Sequence, residues 1–120
     1  MTAKRDEAVN RLEVLLNAVG DLEQCLQETK VSYGVVLERL VAGTAVAGAL
    51  DDAHAAQTRQ TLTAALDEFE QHRHRSRLSL IAAGIEEGMT INAVSRAWGI
   101  SRQLASRDAK EARATPDGDG

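Results

Sequence analysis

Between positions 101 and 113 the residues Ser-Arg-Gln-Leu-Ala-Ser-Arg-Asp-Ala-Lys-Glu-Ala-Arg carry hydrogen-bond donors at a spacing that a helix gathers onto one side. At 100° per residue, Arg102, Arg113, Ser106, Lys110, Gln103 and Arg107 fall within an arc of about 140°. No carboxylate shares that arc. Such a face suits a polyanion with readable edges. An Arg guanidinium bonds guanine through two parallel N–H donors, a Gln amide does the same for adenine, and Ser, Lys and a further Arg hold phosphate oxygens. The sequence therefore predicts double-stranded DNA as the partner of a helix over about 101–112. The opposite arc, Leu104, Ala105, Ala109 and Ala112, is apolar and mostly small, which lets that helix lie close against its support.

The residues just before it supply the support. Thr90 and Ser101 are good N-cap residues, and Gly99 between them provides a turn conformation that a side chain resists. Ile91, Val94, Ala97 and Trp98 share one arc of the intervening helix, with Asn92 and Arg96 opposite, so Trp98 is expected in the core. Two short helices around a tight turn follow from this pattern. The stretch Trp98-Gly-Ile-Ser-Arg-Gln-Leu-Ala-Ser-Arg107 resembles the turn and recognition helix of bacterial helix-turn-helix regulators, and is similar to the C-terminal domains of resolvase/invertase-type proteins. The resemblance covers roughly residues 76–113. It implies that Arg102, Gln103, Ser106 and Arg107 approach the major groove, and that Thr90 and Asn92 lie near phosphate. Ser101 and Lys110 complete the expected DNA-binding set.

Two residues depart from that pattern. Ser95 stands where the first helix usually has Ala. Asp108 stands on the inner face, where an apolar residue is usual, and a buried carboxylate is costly unless paired. The expectation is that Asp108 meets a nearby cation, such as Arg77 or Arg96, or caps a helix.

A formal net charge of −4 argues against a nucleic-acid partner until it is resolved along the chain. Residues 1–71 carry a net −6, residues 72–113 a net +4 and the remaining tail a net −2. That asymmetry points to one region that meets phosphate and one that does not. The run His72-Arg-His-Arg-Ser-Arg77 fits a phosphate-contacting patch and a solvated charged face equally well.

Length and composition set the architecture. At 120 residues, with one Pro, three aromatic residues and abundant Ala, Leu, Glu and Arg, the chain is expected to be all-α. Val9, Leu12, Leu15/Leu16, Val19, Leu22 and Leu26 mark a first helix over Ala8–Leu26. Tyr33, Val36/Leu37 and Leu40/Val41 mark a second, folding back after Glu28 to Lys30. Residues 42–50, small and bracketed by Gly43 and Gly48, read as a loop. A long helix, or two nearly collinear ones, then spans about Asp51 to Glu87, with a phase shift of its apolar stripe across Glu70 to Arg77. The expected organisation is an acidic bundle of about three helices over 1–75, a helix-turn-helix over 76–113, and a disordered tail over 114–120.

Other chemistry finds little footing. No catalytic triad, carboxylate pair, phosphate-binding glycine loop or dinucleotide fingerprint is present, so no enzyme is expected. His72 and His74 lack a nominated third ligand, so neither metal nor cofactor is expected. Cys25, the one cysteine, fits a small buried position. With neither a leader nor a membrane-length apolar run, the expected location is the cytoplasm, associated with the nucleoid. The function expected is a sequence-specific transcriptional regulator acting as a homodimer through residues 1–75. The alternatives are an adaptor whose acidic bundle binds a protein partner, and an architectural or segregation protein that binds DNA without sequence preference.

Overall fold

The computed structural model describes residues 2–114, and among them the only regular elements are five α-helices. They are α1 (Ala3–Val41), α2 (Val46–Asp52), α3 (Ala55–Glu86), α4 (Ile91–Trp98) and α5 (Arg102–Ala114). The all-α expectation holds. The expected tail lies outside the described residues from 115 onward, while Ala114 closes α5.

The chain divides into two compact units. A middle unit comprises Leu16–Glu70, and a terminal unit joins residues 2–15 to residues 71–114. The sequence suggests a division at 75/76 with everything before it together, whereas the structure groups residues 2–15 with residues 71–114. Both α1 and α3 thus contribute to each unit.

One expectation fails outright in the middle unit. The second helix expected to fold back after Glu28 to Lys30 does not exist, since α1 runs unbroken from Ala3 to Val41. Neither Gly nor Pro interrupts residues 21–33, and the polar residues there point outward without breaking the backbone pattern. Gln27, Glu28 and Lys30 are exposed. Thr29 folds its hydroxyl onto the carbonyl of Cys25 at 2.8 Å, a bond compatible with helix. The polar segment is the wet side of one helix rather than a connection.

What α1 buries in this unit is small. Ala18, Cys25 and Ser32 are buried at intervals of seven, and Leu22, Thr29 and Val36 are half-buried beside them. Ala55, Thr58, Leu62, Ala65 and Phe69 repeat the pattern on α3, at spacings of three and four. Cys25, Glu28 and Thr29 line a groove with Gln57, Thr58 and Thr61, and Ser32 further along α1 meets Ala53 just before α3, so the two helices run antiparallel. The Ser32 hydroxyl donates to the Ala53 carbonyl at 2.8 Å, and Arg39 meets Asp52 at 3.1 Å. Residues 46–50, expected as loop, instead form most of α2, with Ala49 wholly buried and Gly48 inside the helix.

The terminal unit has a larger-grained core. Ile81 of α3, Val94 of α4 and Ala105 and Ala109 of α5 are almost fully buried, with Ile85, Met89, Ile91 and Ile100 packed around them. Gly84 opens the place for Met89, because a Cβ there would lie 2.5 Å from the Met89 sulfur. The start of α1 closes the other side. Ala8 is buried, Ser76 donates from its hydroxyl to the Arg11 carbonyl at 3.0 Å, and Arg5 reaches Glu87 at 2.6 Å.

Candidate nucleic-acid interface

The candidate face is built on α5, and its local geometry begins in the turn before it. Thr90 caps α4, its hydroxyl oxygen accepting the Ala93 N–H at 3.1 Å. Gly99 ends α4 in the left-handed region, with φ 65° and ψ 37°, and its N–H returns to the Ser95 carbonyl. Ser101 then caps α5, accepting the Leu104 N–H at 3.1 Å. Both caps and the turn glycine stand where the sequence puts them.

Ser95 turns out to be a staple. Its hydroxyl donates to the Ile100 carbonyl, and the Ile100 N–H donates to the Ser95 carbonyl at 3.1 Å. Two hydrogen bonds therefore cross the turn between the same two residues, where Ala would allow only one. The turn also corrects the expectation for Trp98, which is 40 % exposed rather than a core residue. After the left-handed step at Gly99 it is Ile100 that packs against the core cluster, leaving the indole at the helix end on the surface.

On α5 the division of faces is clean. Ala105, Asp108, Ala109 and Ala112 are buried, and Leu104 is half-buried. Arg102, Gln103, Ser106, Arg107, Lys110 and Arg113 are all exposed. Thr90, Asn92 and Ser101 are exposed as well, so every residue of the expected DNA-binding set is accessible. No acidic residue lies in the first turn of α5, where the helix N-terminus carries partial positive charge. Glu111 lies at the margin of the cationic face, where its carboxylate meets His74 Nε2 at 2.9 Å.

The buried carboxylate has its cation. Asp108 Oδ2 lies 3.1 Å from Arg77 Nη2, with side-chain exposures of 4 % and 16 %. The contact is electrostatic rather than a fork of hydrogen bonds, since Asp108 Oδ2 and Arg77 Nε have no hydrogen-bond partner among the described residues. Together with His74 and Glu111, it ties α5 to α3 one turn apart on each helix. The run from His72 to Arg77 is thus not a wholly solvated face, although Arg73 within it stays exposed. Ser76 is buried, Arg77 is spent on Asp108, and His74 is spent on Glu111. Charge type alone conceals this, because the partners lie more than thirty residues away in sequence.

The assembled geometry presents one exposed helix face with Arg, Gln, Ser and Lys side chains. It can present bidentate donors to base edges and single donors to phosphates. Among the described residues there is no group of three or more His, Cys, Asp or Glu that could hold a metal ion, and no helix long and apolar enough to cross a membrane. Comparison with known family models, curated proteins and solved structures finds no match for this chain.

Proposed function

We propose that the protein is a sequence-specific DNA-binding regulator whose α4–turn–α5 segment acts as a helix-turn-helix, with α5 entering the major groove. The observation that carries this reading is the pairing of two faces on one helix. One is exposed and cationic, from Arg102 to Arg113, and the other is small and buried, so that α5 sits low on its support and projects its polar side. The doubly bonded turn and the Arg77–Asp108 contact favour a fixed presentation, which base readout requires.

In this reading Arg102 and Gln103, at the start of α5, reach base edges, with Ser106 and Arg107 beside them. Lys110 and Arg113 hold backbone phosphates, as do Thr90, Asn92 and Ser101 at the helix starts. A module of this size covers only a short half-site, so two copies on an inverted repeat give the affinity and discrimination that one lacks. The duplex attracts the basic terminal unit and repels the acidic middle unit.

Selection from a random duplex library, followed by titration at two salt concentrations, tests the reading. The expected result is a preferred sequence. Arg102→Ala or Gln103→Ala costs about 1–3 kcal/mol on it and relaxes preference at one position. Lys110→Ala weakens all sequences alike and lowers the salt slope by about one. Equal, steeply salt-dependent binding to every sequence overturns sequence-specific regulation in favour of an architectural role. Affinity indifferent to Arg102 overturns the assignment of α5.

A further inference from the structure

Beside its packed seam, α1 carries a second apolar face within the middle unit. Leu16 is 67 % exposed, Leu26 48 %, Tyr33 54 %, Leu37 64 % and Leu40 43 %. With the half-buried Val19 and the exposed Glu23 and Lys30, they form the series 16, 19, 23, 26, 30, 33, 37, 40. Its steps alternate between three and four, the spacing of a coiled-coil seam. At 100° per residue the eight positions lie within an arc of about 120°, rotated away from the Ala18, Cys25 and Ser32 side that packs inside the unit.

We propose that this face is a homodimer seam in which α1 of two chains pairs antiparallel about a two-fold axis near Leu26. Charge and symmetry favour this arrangement. Only two of the eight side chains are charged, and they have opposite sign. Parallel pairing sets Glu23 against Glu23 and Lys30 against Lys30. Antiparallel pairing about Leu26 brings Glu23 of each chain level with Lys30 of the other, twice. To within about half a residue, under 1 Å along the axis, the same operation brings Leu16 to Leu37, Val19 to Tyr33, and Leu26 to its own counterpart. Charges and apolar side chains thus share a centre of symmetry to within about half a residue, as an isologous interface demands. A helix of a single charge sign leaves either Glu23 or Lys30 facing its own sign.

The five exposed large side chains offer on the order of 500 Å² per copy, a major part of the roughly 800 Å² per partner of a standard interface. The seam stands on α1 alone and is independent of the DNA reading, although it supplies the second copy which that reading calls for.

Sedimentation equilibrium of the full chain, without DNA, up to about 100 µM is the primary test. The wild type is expected to dimerise. Leu26→Glu and Leu37→Glu, both at exposed helical positions, are expected to raise the dissociation constant by about a hundredfold or more, with helical circular dichroism retained. Lys30→Glu makes both seam charges acidic and weakens the dimer about tenfold at low salt, and adding Glu23→Lys to it restores the dimer. Orientation is read from nitroxides on Glu38→Cys in a Cys25→Ala background. An antiparallel pair sets them about 35 Å apart along the axis, from 1.5 Å of rise per residue.

A wild type that stays monomeric at that concentration overturns the seam. So does a dimer that survives both Leu variants and Lys30→Glu, or a label separation under about 20 Å. Loss of sequence preference with the dimer intact counts against the DNA reading and leaves the seam standing.

Discussion

The two units use apolar side chains in opposite ways. In the terminal unit the branched residues Ile81 and Val94 are 1 % and 0 % exposed, and α3, α4 and α5 close over them. In the middle unit the buried positions are Ala18, Cys25, Ser32, Ala49 and Ala53, while Leu16, Leu26, Tyr33, Leu37, Leu40, Val46, Leu50 and Leu66 are all more than two-fifths exposed. The first unit completes its own core. The second brings its helices close through small residues, with Leu22, Leu62 and Phe69 half-buried and many other large side chains exposed. The difference is one of core building: the terminal unit buries branched side chains, and the middle unit buries small ones.

The comparison breaks most readily at Ile81. Ile81→Ala removes three buried carbons from a core with few large side chains, and is expected to cost about 3–4 kcal/mol by denaturant titration. A loss below about 1 kcal/mol means that the cluster around Val94 is not what holds α4 and α5. Asp108→Ala comes next. It leaves the Arg77 guanidinium, 16 % exposed, without its counter-charge, at an expected cost of about 3 kcal/mol. Arg77→Met in the same chain is expected to recover most of that stability, because the pair lacks hydrogen-bond geometry and two apolar side chains fill the space without desolvated charge. If the double variant is as unstable as the single one, Asp108 acts through something other than Arg77.

The sequence marks these positions unequally, for physical reasons. Thr90, Gly99, Ser101 and the exposed face of α5 are legible because caps, turns and helical faces are set by residues within four positions of one another. Asp108 is legible as a problem, a carboxylate in an apolar phase, and Arg77 stands among the cations it calls for. Trp98 is misplaced in the sequence reading because helical phase does not foresee that the left-handed step at Gly99 hands the core position to Ile100. The break expected after Glu28 fails for a similar reason. A polar triplet without Gly or Pro reads as a connection, yet α1 carries it on its solvent side. The joining of residues 2–15 to the later helices rests on contacts such as Ser76 to the Arg11 carbonyl, sixty-five residues apart, which no local pattern encodes.

The turn before α5 carries smaller energies than the core beneath it. Ser95→Ala removes one of the two bonds to Ile100 and is expected to cost about 1 kcal/mol. Gly99→Ala forces a Cβ into the left-handed region at φ 65° and is expected to cost about 1–2 kcal/mol. The informative readout is sequence discrimination rather than stability, measured as the ratio of affinities for the preferred and a scrambled duplex. A looser turn that narrows this ratio shows that presentation of α5 depends on the staple. An unchanged ratio in both variants assigns the turn to stability only.

The smallest effect is expected in the middle unit, and it is the other half of the contrast. Cys25 is 6 % exposed and faces α3, yet Cys25→Ala deletes a single sulfur from a seam already built of Ala and Ser, at an expected cost of about 1 kcal/mol or less. Enlargement has the larger effect there: Cys25→Leu pushes against Thr29 and the Gln57 to Thr61 segment that share its groove, and is expected to cost about 1–3 kcal/mol. The terminal unit should answer truncation with large losses, and the middle unit should answer enlargement more strongly than truncation. Should Cys25→Ala prove as costly as Ile81→Ala, the middle unit depends on its small buried residues as the terminal unit does on its branched ones, and the contrast between the two fails.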